Sequence, residues 1–145
     1  MIVVESGSAG ALIRSASGRV LLVERTYRPQ APWTLPGGVI EAGETPRQAC
    51  ARELYEELGV LARVGRPLVV DRVGDPVHRV FAAALPEGAR IRLPERELAS
   101  WAWVAPDALG DVLPARIVRR VRAAITADTD GSVRCLEDGF GPEDR

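Results

Sequence analysis

Residues 38–60 read GVIEAGETPRQACARELYEELGV, and this stretch decides the fold. Thr45 has the side chain of a helix N-cap, Pro46 suits the first helical position, and Gly59 suits the residue that ends a helix. The spacing predicts a helix from Thr45 to about Leu58. At about 100° per residue, with Glu53 at zero, Glu56 falls near −60° and Glu57 near +40°, so three carboxylates share an arc of about 100°. Cys50, Leu54 and Leu58 follow the i, i+4, i+8 rule on the adjacent face and can anchor the helix to a sheet. Like charges crowded on one face cost a few tenths of a kcal/mol per pair. A hard divalent cation such as Mg²⁺ or Mn²⁺ removes that cost, because it seeks oxygen ligands. The plain alternative is a solvated acidic face. It leaves Gly37, Gly38, Glu44 and Arg52 unexplained at their spacings.

Outward from the helix, the pattern is that of strands. Ala9–Arg14 and Val20–Glu24 read as a hairpin turned by Ser15-Ala16-Ser17-Gly18. Trp33-Thr34-Leu35 is a short extended piece held straight by Pro36. β-like runs follow at 61–64, 67–73, 77–85 and 99–104, the last carrying Trp101 and Trp103 on opposite faces. Leu113–Thr126 is a second amphipathic helix. Ile117, Val121, Ala124 and Ile125 lie on one side, and Arg116, Arg119, Arg120 and Arg122 largely on the other. Strands on both sides of a helix, with a closing helix, indicate an α/β/α sandwich around a mixed β-sheet. The expected domain spans residues 1–127. Residues 128–145 are expected to form a tail, partly disordered or packed on the domain.

Composition bounds the function classes. The chain has 145 residues and a formal net charge of −1, which suits one ordinary domain. A near-neutral balance points away from a nucleic-acid polymer or an anionic membrane as partner. All 19 basic residues are Arg, and the chain contains no Lys and no Asn. Cys50 and Cys135 lack metal-ligand spacing and read as reduced thiols, Cys50 buried and inert on the core face. The N-terminus has no leader pattern, and no stretch reaches the roughly 20 apolar residues of a membrane span. The expectation is a cytoplasmic protein, monomer or homodimer.

The 38–60 segment resembles the Nudix box: Gly, five residues, Glu, seven residues, Arg-Glu, a bulky apolar residue, any residue, Glu-Glu, any residue, Gly, an apolar residue. Gly38, Glu44, Arg52, Glu53, Leu54, Glu56, Glu57, Gly59 and Val60 fill every fixed position. The lead-in Trp33–Gly38 and the 97–103 segment are also similar to the family layout. The resemblance implies the Nudix fold and metal-dependent hydrolysis of a small-molecule diphosphate, with Mg²⁺ (Mn²⁺ possible) as cofactor. It implies that Glu53, Glu56 and Glu57 hold the metal with the carbonyl of Gly37, whose lack of Cβ allows close approach. Glu44 and Arg52 would pair to hold the loop and aim Glu53; a weak surface pair is the alternative. A carboxylate must accept the proton of the attacking water. Glu53 is the first choice, Glu97 the second, and Glu95 is close enough to compete.

Substrate residues are less sharply marked. Arg25 and Arg28 precede the glycine pair, and their planar forks suit phosphate oxygens. Gly38 would let a substrate approach the backbone. Trp33 and Tyr27 could stack on a base, or Trp33 could pack beneath the loop. His78, in a strand-like run, reads as structural. The family's oxidised-nucleotide branch commonly reads the purine with an Asn, which this chain lacks, and Pro76 is a faint likeness to the ADP-ribose branch. The expected substrate is a nucleoside diphosphate derivative or nucleoside triphosphate. A non-nucleotide diphosphate is the alternative, and a non-catalytic nucleotide-sensing module the third reading.

Overall fold

The computed structural model describes residues 7–93 and 98–144. Eight strands and two α-helices follow in chain order: β1 (Gly7–Leu12), β2 (Val20–Arg25), β3 (Trp33–Thr34), β4 (Gly37–Val39), α1 (Pro46–Leu58), β5 (Arg63–Arg72), β6 (Val77–Ala84), β7 (Leu98–Val104), α2 (Ala115–Asp130) and β8 (Arg134–Glu137). A 3₁₀ helix, Pro106–Asp111, leads into α2. Five strands form a mixed sheet in the order β4-β1-β6-β5-β8, and three form an antiparallel sheet in the order β3-β2-β7.

The expected hairpin is not a hairpin ladder. β1 already pairs antiparallel with β4 and parallel with β6, so both of its edges are taken. The chain therefore crosses to the second sheet, where β2 pairs with β3 and β7. The Arg14–Val20 bridge, with bonds from Leu21 N to the Ile13 carbonyl at 3.0 Å and from Ser15 N to the Arg19 carbonyl at 2.9 Å, ties the two segments at the crossing. Alternation divides the core accordingly. Ala9, Ala11, Ile13, Leu21 and Val23 pack on the α1 side with Cys50, Leu54 and Leu58. Leu12, Val20 and Leu22 pack on the α2 side with Val118, Val121 and Ala124. The result is the expected layering of helix, sheet and helix.

Helix α1 starts and stops as its sequence dictates. Thr45 Oγ1 accepts a bond from Gln48 N at 3.1 Å, and Thr45 N donates to Gln48 Oε1 at 2.9 Å. This reciprocal capping box satisfies two backbone donors at the helix start. Gly59 ends the helix with φ 68°, left-handed backbone that favours glycine, and its N–H bonds the Tyr55 carbonyl.

Two further expectations change. The runs at 61–64 and 67–73 are one strand, β5, with irregular register between Val64 and Val69. Pro67 offers no N–H to the ladder, and Arg47 of α1 donates to the Val64 and Gly65 carbonyls at 2.8 and 2.5 Å. The second helix, expected over Leu113–Thr126, runs as α2 to Asp130 before Gly131 (φ 79°) turns the chain. The tail then re-enters the mixed sheet as β8, parallel to β5, with Leu136 buried in the core. Among the described residues no helix is long and apolar enough to cross a membrane.

Candidate active site

A cleft of about 620 Å³ opens between α1 and the start of α2, floored by β1, β4 and β6. Of the residues singled out in the sequence, Glu53, Glu57, Gly37, Gly38, Arg25 and Arg28 all line it. They arrive on four different pieces of backbone. The two carboxylates come from α1, the glycines from β4, and Arg25 from the end of β2. Arg28 lies in a run of turns where the Arg28 N–H bonds the Arg25 carbonyl and Ala31 N–H bonds that of Arg28.

The glycine pair is required by contact, for two different reasons. Gly37 has φ 148°, and a Cβ there would run into the backbone of Ala9 and Gly10 on the neighbouring strand. A Cβ on Gly38 would stand 2.5 and 2.6 Å from the two carboxylate oxygens of Glu53. β4 can lie against both β1 and α1 only where the side chains are missing. Gly38 thus creates the space that the Glu53 carboxylate occupies.

Glu57 is the buried member of the ridge. Its Oε1 accepts a bond from Gly37 N at 2.6 Å, and its Oε2 stands 3.1 Å from Arg25 Nη2. The same Nη2 donates to the Gly37 carbonyl at 2.6 Å. A single guanidinium nitrogen therefore bridges the Glu57 carboxylate and the Gly37 carbonyl. Burial pushes the Glu57 carboxyl up to about 7, against the opposing pull of Arg25 and the Gly37 N–H. Burial raises Glu53 as well, opposed by Arg52.

Arg52 clamps the loop to the helix. Its Nε and Nη2 meet the Glu44 carboxylate at 2.6 and 2.8 Å, a two-point fork. Nη2 also donates to the Val39 carbonyl at 3.0 Å, and Nη1 to Glu53 Oε1 at 2.9 Å. One planar cation thus ties the loop after β4, the strand end and Glu53 together. The Arg52 fork holds the Glu44 carboxyl down to about 2. The pair expected from the sequence is formed, as a two-point fork.

The structure does not bring every expected ligand inward. Glu56 is half-exposed and bound to Arg52 Nη1 at 3.2 Å. Among the described residues no three His, Cys, Asp or Glu side chains stand close enough together to hold a metal ion as they lie. The donors nonetheless suit a hard cation. Gly37 O and Glu57 already hold one positive nitrogen between them, and the Gly38 cradle keeps Glu53 on the same wall. Trp33 is partly buried against the α2-side core, which is the packing role of its two readings. Glu97 and Glu95 lie outside the described residues. Cys50 is buried beside the Gly10 carbonyl, and burial pushes its thiol up to about 12. Trp101 is exposed while Trp103 packs against the α1-side core.

Sequence reasoning missed the opposite wall. Arg116, Ile117 and Arg120 of α2 line the cleft together with His78 of β6 and Ser8 of β1. His78 Nδ1 and Ser8 Oγ are 2.7 Å apart, and burial with the nearby Arg120 lowers the histidine pKa. Arg120 Nε donates at 2.8 Å to the fully buried Asp71, whose other oxygen accepts a bond from Gly139 N at 3.0 Å. The helical pattern placed four arginines on one side of α2. No spacing distinguishes the two that reach the cleft from Arg119, which stacks on Phe140 instead.

Comparison with known proteins agrees with this fold. The NUDIX domain family pattern matches residues 5–127. Phosphatase NudJ of Escherichia coli is 30% identical over 136 residues, covering 89% of this chain and 82% of that one. A Mycobacterium tuberculosis relative with the provisional name 8-oxo-dGTP diphosphatase 2 is 48% identical over 71 residues, 48% of each chain. Human diphosphoinositol polyphosphate phosphohydrolase 3-alpha is 43% identical over 67 residues, 46% of this chain and 40% of that one. The alignments thus span less than half the length of these last two. Among solved structures, a NUDIX hydrolase from Nitrosomonas europaea superposes with TM-score 0.76 at 20% identity, covering 94% of this chain and 81% of that one.

Proposed function

The chain belongs to the NUDIX domain family, and from that premise we propose that it hydrolyses the diphosphate linkage of a nucleoside diphosphate derivative or nucleoside triphosphate with the help of Mg²⁺ or Mn²⁺. The observation that carries this reading is the Gly38 cradle. A helix carboxylate occupies the space where a side chain would otherwise be, at the wall of an arginine-lined cleft.

In this reading Glu53, Glu57 and the Gly37 carbonyl would hold the metal, with Glu56 joining only if Arg52 releases it. When bound, the ion would neutralise diphosphate oxygens and lower the pKa of the attacking water. The chain's own residues do the remaining work. Arg28 and Arg25 bind non-bridging phosphate oxygens and orient the linkage across the cleft. Glu53, kept in place by the Arg52–Glu44 clamp, accepts the proton as the water oxygen bonds to phosphorus and the bridging P–O bond breaks. Glu97 remains the second choice for that base. The leaving group departs as a phosphate or phosphate ester, carrying the bond's electron pair. A cytoplasmic location and a small-molecule partner complete the reading; Cys50 and Cys135 are free thiols, as a reducing compartment would keep them.

The test is turnover of a panel of nucleoside triphosphates, nucleotide sugars, dinucleotides and prenyl diphosphates, with and without EDTA, for the wild type and Glu57→Gln. Mg²⁺-dependent turnover of nucleotides, cut by orders of magnitude in Glu57→Gln, is expected. Full activity in EDTA refutes the metal mechanism. Turnover of prenyl diphosphates alone refutes the nucleotide class.

A further inference from the structure

Among the described residues, four arginines line the cleft, two more than the diphosphate site described above uses. Near its acidic end, Arg25 faces Glu57 and Arg28 stands at the rim. At its far end, Arg116 and Arg120 of α2 line the same space, one helical turn apart. Among the described lining residues, Glu53 and Glu57 are the only acids, and both sit on α1. Arg116 and Arg120 are each ion-paired, to Asp138 and Asp71, but neither of those carboxylates lines the cleft, so the spare guanidinium donors of the far wall meet no acid among its described lining residues.

The far wall is also built and held in place. Arg120 uses its Nε on Asp71, which is fixed by the Gly139 N–H where the chain turns after β8. A guanidinium has five N–H donors in a rigid fork, so one bond to a buried carboxylate anchors the group without exhausting it. Arg116 is tied to Asp138 at 2.5 Å at the same turn. His78 lines the same cleft; burial and these cations lower its pKa and so favour the neutral imidazole, and it is bonded to Ser8. A neutral imidazole and a serine hydroxyl beside two arginines form a polar, cationic surface, with Ile117 as its apolar contact. This is the chemistry that recognises a phosphate monoester.

Building on the diphosphohydrolase reading, we propose that Arg116 and Arg120 form a second anion subsite, taking a phosphate monoester on the part of the substrate remote from the diphosphate. The preferred substrates therefore carry a diphosphate and, at a separate position, at least one phosphate monoester.

Matched ligands separate this proposal from the reading beneath it. NADP and coenzyme A each carry one phosphate monoester more than NAD and dephospho-coenzyme A, on the same diphosphate scaffold. Affinity is measured for all four by calorimetry with Mg²⁺ present, on the full chain, alongside turnover. In at least one pair the phosphorylated member is expected to bind about tenfold tighter, and Arg116→Gln should bring that ratio to within about twofold. Arg119→Gln, on the same helix but against Phe140, should leave the ratio as it is. Equal affinities within both pairs, no binding of either phosphorylated member, or a preference that survives Arg116→Gln overturns the subsite. Loss of turnover on every diphosphate tested instead removes the underlying reaction.

Discussion

Replacing Gly38 by alanine tests the site with the smallest perturbation available. The added methyl would meet the Glu53 carboxylate oxygens at 2.5 and 2.6 Å, where ordinary contact begins at 3.4 Å. Relief requires the carboxylate to retreat by roughly 0.5–1 Å, and a misplacement of that size costs on the order of a hundredfold in rate. The backbone at Gly38 is not in the left-handed region, so alanine is tolerated there and stability should change by about 1 kcal/mol or less. Gly37→Ala is the control. Its methyl would strike backbone of β1 and its φ of 148° excludes an ordinary side chain, so β4 itself must move. Expected is a Gly38→Ala protein with a normal urea midpoint and kcat down about a hundredfold, beside a Gly37→Ala protein several kcal/mol less stable. Steady-state kinetics with Mg²⁺ and urea unfolding followed by circular dichroism read the two effects separately. Wild-type kcat in Gly38→Ala would show that Glu53 need not stand where the glycine places it.

Other perturbations follow from the same contacts. Arg52→Lys cannot fork onto Glu44 while reaching Val39 and Glu53, so kcat should drop about ten- to a hundredfold with KM nearly unchanged, and an unaltered kcat would reduce the clamp to surface pairing. Arg25→Gln removes the cation between Glu57 and the Gly37 carbonyl. Urea unfolding in EDTA should show a loss of about 1–3 kcal/mol at pH 8, and no loss would mean the bridge is not formed in solution. The Glu57 carboxyl, raised to about 7, binds its proton more tightly folded than unfolded. Its contribution is therefore fully present below the unfolded carboxyl value of about 4 and is lost as pH rises to about 7. In EDTA the wild type should lose stability over that window relative to Glu57→Gln. Parallel pH profiles for the two proteins would contradict the burial of this group.

How much could be read from residue order differs element by element. Helix α1 was legible because every signal for it is local. Thr45 caps it, Pro46 opens it, Gly59 closes it, and a 3.6-residue period places Glu53 and Glu57 on one arc and Cys50, Leu54 and Leu58 on the next. The layered α/β arrangement is legible in the strand runs on either side of this helix and the closing helix, and the pairing of Arg52 with Glu44 in the family resemblance of the short stretch. Strand partnership was not legible, because a strand's edges are satisfied by segments distant in sequence. β1 gives its edges to β4 and β6, so the expected hairpin yields to a sheet switch. The tail becomes a strand only because β5 offers it an open edge. Burial within the ridge was equally tertiary. Helical angles make Glu56 and Glu57 equal candidates, and only the packing of β4 against α1 leaves Glu57 buried on Gly37 N and Glu56 outside with Arg52. The far wall shows the same limit: α2 presents several arginines, and the position of β6 and the β8 turn decides that Arg116 and Arg120 face the cleft. Local order fixes which groups a helix carries on each face; the long-range packing of strands fixes which of those groups lose water and meet.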